Sequence, residues 1–232
     1  MQKSGTKPIL CYVTDRASLP QPARNDPYSP LLSKIAAAVA AGTDWIQIRE
    51  KTLPASDLAQ LLRAALASTF LPEAAVTSGA RGARPHRTSI LINDRLDVAL
   101  AGKADGVHLG ENSLPVAEAK RLIHDFRTPS SEFMIGASCH SLASAQVAES
   151  ADADYIFFGP IFATPSKIAF GEPQGLPRLR EVCRAVRVPV LAIGGVTAQN
   201  VPQCLDSGAS GIAAIRLFQE SSRLEELLQQ LR

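Results

Sequence analysis

Eight times along this chain a short β-branched run gives way to a longer Ala- and Leu-rich stretch with helical spacing. The runs, four to six residues each, read as strands at 9–14, 45–49, 89–93, 106–109, 133–138, 155–159, 189–194 and 211–215. The stretches between and after them read as helices at 30–41, 55–67, 95–101, 115–125, 142–150, 176–186, 198–206 and 222–231. Boundary residues agree: Asn93 or Asp94 is placed to cap the third helix, Pro115 falls in the first turn of the fourth, and Gly42 and Gly208 follow helix ends. Eight βα units in 232 residues match a closed (β/α)8 TIM barrel forming one domain over 1–232. An open dinucleotide-binding sheet would place G-x-G-x-x-G after the first strand. Thr14-Asp15-Arg16-Ala17-Ser18 stands there instead.

With 46% apolar and 20% charged residues the chain has material for a substantial core. A net charge of +2 is too balanced for a nucleic-acid coat, and no apolar run approaches a membrane span. The polar start Met1-Gln2-Lys3-Ser4-Gly5 lacks a signal-peptide core, so a cytoplasmic location is expected. Cys11, Cys139, Cys183 and Cys204 form no C-x-x-C pair and read as small buried apolar residues.

Two connections are long. Residues 69–88 carry Arg81, Arg84, His86 and Arg87 and join a helix to a strand at the bottom of a barrel, which reads as a solvated loop rather than an anion patch. Residues 160–175 follow strand six and rise from the top, where a Gly- and Pro-containing loop reads as an active-site lid.

In a barrel, chemistry gathers at the C-terminal strand ends. After strand two, alternation puts Gln47, Arg49 and Lys51 on one side and Ile46 and Ile48 on the other, toward the helices. Converging cations call for an anionic ligand such as phosphate or pyrophosphate; the ordinary alternative pairs Arg49 with Glu50 or Asp94. After strand three, Asn93 and Asp94 are hard oxygen donors suited to Mg²⁺, or else helix caps. After strand six, Thr164, Ser166 and Lys167 add two hydroxyls and a cation. Gly194, Gly195 and the stretch 208–211 occupy the region where barrels commonly hold phosphate on backbone N–H groups, or simply make turns.

Seven segments together resemble the thiamine-phosphate synthase and thiazole tautomerase family: YVTD at 12–15, QIREK at 47–51, INDR at 92–95, ADGVHLG at 104–110, IGASCHS at 135–141, DADYIFFGPIFATPSK at 152–167 and AIGGVTAQN at 192–200. The resemblance implies a transferase joining a hydroxymethylpyrimidine diphosphate to a thiazole phosphate, with release of pyrophosphate, and a homodimeric assembly. It places Gln47, Arg49, Lys51 and Lys167 at the pyrophosphate, Asn93 beside it, Asp94 on Mg²⁺, Thr164 and Ser166 near the thiazole phosphate, and Gly195 in that phosphate's backbone cradle. The charges suit departure of pyrophosphate first, leaving a pyrimidine cation that the thiazole nitrogen captures.

Two positions depart from the synthase pattern. Where it carries a second metal-binding aspartate, this chain has Ser113, which lowers metal affinity unless Glu111 swings in. Where it carries a small serine after strand eight, this chain has Arg216, able either to grip the thiazole phosphate or to block it; gripping is the expectation. The tautomerase branch moves a proton on a thiazole carboxylate phosphate without metal, and there His140 would be the acid/base. A noncatalytic phosphate-binding barrel is the third reading.

Overall fold

The computed structural model describes residues 7–19, 27–69, 87–126, 133–164 and 172–232. Its strands are β1 (Ile9–Val13), β2 (Trp45–Ile48), β3 (Ser89–Asn93), β4 (Gly106–Leu109), β5 (Met134–Cys139), β6 (Tyr155–Phe158), β7 (Val190–Ile193) and β8 (Gly211–Ala214). All pair in parallel in chain order, and β8 closes on β1 through Ile9 opposite Gly211, making the barrel that the alternation predicts. The helices are α1 (Ser29–Ala40), α2 (Ala55–Thr69), α3 (Leu96–Ala101), α4 (Val116–Phe126), α5 (Leu142–Ser150), α6 (Gly175–Ala185), α7 (Val201–Asp206), α8 (Arg216–Gln219) and α9 (Leu224–Gln230). A 3-10 turn at Arg16–Ser18 and helix α8 were not expected; each is too short to show a helical period.

Strand alternation separates two cores. Outward residues such as Leu10, Ile46, Ile48, Ile90 and Ile92 pack with the helices in one cluster. Cys11, Val13, Leu91, Tyr155, Phe157, Leu191 and Ala213 fill the barrel in another. Cys11, Cys139 and Cys204 are buried, Cys183 is half-buried, and all four are free thiols.

At the bottom of the barrel an aspartate stands just before each of β2, β4 and β6. Asp44, Asp105 and Asp154 accept the N–H of Leu10, Ile90 and Ile135 in the preceding strand at 2.8, 2.8 and 2.7 Å. These staples satisfy a strand-end donor that the parallel ladder leaves free. A cation flanks each: Arg232, Arg87 and Lys120 at 3.5, 3.3 and 3.4 Å. In the β7–β8 pair Ser210 takes the corresponding place with its backbone alone, donating to Val190 O and accepting from Ile9 N–H.

Arg87 is therefore an ion-pair partner of a bottom-face staple. Arg81, Arg84 and His86 lie outside the described residues. Among the described residues no helix is long and apolar enough to cross a membrane.

Candidate active site

The upper rim of the barrel carries a continuous run of polar contacts. Gln47, almost wholly buried on β2, donates through Nε2 to Asn93 Oδ1 at 2.8 Å. Asn93 donates through Nδ2 to Asp94 Oδ2 at 2.7 Å. The other Asp94 oxygen accepts the Gly110 N–H at 2.9 Å and the Ser113 hydroxyl in a very short contact. This corrects the cap expectation. Asp94 sits in the left-handed region at φ 61°, its side chain bonds across to the β4 loop, and α3 begins without a side-chain cap. Reaching the neighbouring loop requires a backbone geometry that a helix cap does not have.

Arg49 is half-buried and Lys51 exposed, and both line one cleft of about 300 Å³ with Asp15, Arg16, Glu50 and Thr52. The Arg49–Glu50 and Arg49–Asp94 pairs, open alternatives in the sequence, do not form. Glu50 takes Thr14 Oγ1 and Arg16, while Asp94 is occupied as described. Among the described residues Arg49 has no carboxylate within ion-pairing distance.

His108 was missed by the sequence reading, although alternation within β4 marks it as inward. It lies buried between Tyr155 OH at 3.2 Å and Ser138 Oγ at 2.9 Å, its ring tilted against Phe157 with centroids 4.1 Å apart. Burial holds its pKa down at about 3, against the pull of Asp94 and with help from Arg49, so the ring is neutral. His140 contacts the Gly159 carbonyl through Nδ1, so Nδ1 is the donor there and Nε2 is the ring nitrogen turned to other partners.

Gly194 and Gly195 have φ of 92° and 66°. A Cβ on Gly194 would lie 2.5 Å from Pro160 Cβ, and one on Gly195 2.7 Å from Phe162 Cβ. Close packing of the β6 and β7 loops therefore already requires glycine here, whatever the ligand. The stretch 208–211 is a correction: it precedes β8 and lies at the opposite end of the barrel from Gly195. Arg216 is exposed as the first residue of α8, on the upper rim. Thr164 is half-buried. Ser166, Lys167 and the central part of the expected lid lie outside the described residues.

No group of three or more His, Cys, Asp or Glu side chains able to hold a metal occurs among the described residues. The polar run that starts at Gln47 ends on one carboxylate, Asp94, with Ser113 Oγ and Asn93 beside it. That is a sparse set, but Mg²⁺ is commonly held by one or two carboxylates together with waters and substrate phosphates, so the donors fit the ion in company with a diphosphate.

A family model described as thiamine monophosphate synthase matches residues 19–218. A thiamine-phosphate synthase from Methanoculleus marisnigri is 45% identical over 77% of this chain and 75% of its own. Another, from Chlorobium luteolum, is 35% identical over 97% of this chain and 91% of its own. Among solved structures, thiamine phosphate pyrophosphorylase from Pyrococcus furiosus superposes with a TM-score of 0.74 at 29% identity, covering 97% of this chain and 94% of that one.

Proposed function

Because the chain belongs to the thiamine monophosphate synthase family, we propose that it joins a hydroxymethylpyrimidine diphosphate to a thiazole phosphate, forming thiamine phosphate and releasing pyrophosphate. The observation that carries this reading is the half-buried Arg49, without a carboxylate partner among the described residues, beside Lys51 and the Gln47–Asn93–Asp94 run. Fixed cations next to hydrogen-bond donors lower the barrier to loss of a diphosphate, whose negative charge grows as the C–O bond breaks. Arg49 and Lys51 take up that charge, with Lys167 as a further cation, while Gln47 and Asn93 orient the leaving group. Asp94, with Ser113 beside it, would hold Mg²⁺. Bound there, the ion would neutralise diphosphate oxygens.

Thr164, Ser166, Gly195 and Arg216 form the thiazole phosphate end of this reading, and the active unit is a homodimer in the cytoplasm. Purified protein given both substrates and Mg²⁺ is expected to release pyrophosphate and form thiamine phosphate. Turnover no faster than in a protein-free control removes the proposal.

One observation favours a second reading: Ser113 stands where a carboxylate would strengthen the metal site. As a tautomerase, the protein would isomerise a thiazole carboxylate phosphate with chelator present, and His140→Ala would slow it at least about a hundredfold. An unaffected rate in that variant discards this reading.

A further inference from the structure

Glu50 stands between two cations in the sequence yet its carboxylate bonds neither. It is 7% exposed, and Oε1 accepts from Thr14 Oγ1 at 2.6 Å and from the Arg16 N–H at 3.2 Å. Oε2 lies 3.6 Å from Arg16 Nε. Thr14, wholly buried, in turn accepts the Arg49 N–H on Oγ1 at 3.0 Å. One hydroxyl thus ties the main chain of Arg49 to β1, and Glu50 fixes that hydroxyl by taking its only proton.

The same turn is held from its other side. Gln219 on α8 accepts the Asp15 N–H on Oε1 and donates through Nε2 to Asp15 O and Ser18 Oγ, each at 3.0 Å. Burying a carboxylate is costly unless donors compensate it, and here its charge is matched by Arg16 rather than by its sequence neighbours Arg49 and Lys51.

Resting on the transferase reading above, we propose that Thr14 and Glu50 are positioning residues for the diphosphate end of the site. The turn after β1, braced by Gln219, holds the Arg49–Lys51 segment in register with a ligand that Thr14 and Gln219 do not touch. The geometry has two consequences: Glu50 spares Arg49 and Lys51 for an anion, and a loosened turn lets their separation from it vary.

The test is calorimetric titration of the full chain with inorganic pyrophosphate and Mg²⁺, together with steady-state kinetics. Thr14→Val, which keeps shape but not the hydroxyl, is expected to weaken pyrophosphate binding about tenfold, and Thr14→Ser to restore it. Gln219→Leu weakens it in the same direction by a smaller factor, although Gln219 bonds neither Arg49 nor Lys51. KM for the pyrimidine diphosphate rises in Thr14→Val while KM for the thiazole phosphate holds. If Thr14→Val lowers the melting temperature but binds pyrophosphate as wild type does, the two residues are merely structural and the proposal fails. Wild-type protein that binds pyrophosphate but forms no thiamine phosphate sinks the transferase reading alone; the titration of the variants then still decides the positioning role. Wild-type protein that binds no pyrophosphate overturns both.

Discussion

His108 shows what burial does to a single titratable group. Free histidine titrates near 6.5, whereas burial beside Tyr155 and Ser138 keeps this ring neutral down to about 3. Above pH 6.5 neither folded nor unfolded chain carries the proton, and the full stability is present. As pH falls from 6.5 toward 3, the unfolded chain binds a proton that the folded one refuses, and this residue's share of stability is lost by about 1.4 kcal/mol per pH unit. Urea denaturation across that window should show the slope, and His108→Gln should flatten it; equal slopes would assign acid sensitivity to other groups. At Arg216 the question is grip against obstruction. Arg216→Ser is expected to weaken thiazole phosphate binding about tenfold by removing a charge-assisted contact. Calorimetry showing tighter binding would make the arginine an obstruction.

At the scale of elements, the three bottom-face staples matter more than any one helix. Each places an Asp carboxylate on an amide that the ladder cannot satisfy, and the flanking ion pairs, partly exposed, contribute little beside it. Asp105→Ala, which orphans the Ile90 N–H, should cost about 1–3 kcal/mol in chemical denaturation, and Asp105→Asn less, because its amide oxygen still accepts. A cost as large for Arg87→Ala would shift the weight to the ion pair. The pattern was readable as Asp before Trp45, Gly106 and Tyr155, but it gains meaning only once consecutive strands are known to be parallel neighbours. Helix α8 was not readable at all: its four residues span about one turn, and its clasp on the β1 turn joins residues 204 positions apart.

For the molecule as a whole, closure is the demanding step. Along the β1–β8 seam a Cβ on Gly211 would lie 2.0 Å from Ile9 O, a clash with backbone that no side-chain rotation relieves. Gly211→Ala should destabilise the protein by about 3 kcal/mol, at the upper end of overpacking costs, and increase amide exchange in β1 and β8 more than in β4 and β5. Uniform exchange across the strands would show that the seam yields without opening.

The sequence by itself determined the eight-unit barrel and which side of β2 faces the helices, although not that 208–211 lie at the bottom of the barrel. These follow from the period of apolar residues and from the alternation of side chains in a strand, both local properties. What Arg49, Glu50 and Asp94 bond was decided only by tertiary structure. All three lie on or beside strand ends with several partners in reach, and Thr14, Arg16, Gly110 and Ser113 won because the β1 and β4 loops bring them in from 16 to 36 residues away. Charges close in sequence therefore remain apart from one another, and the cations at the mouth stay available to an anion.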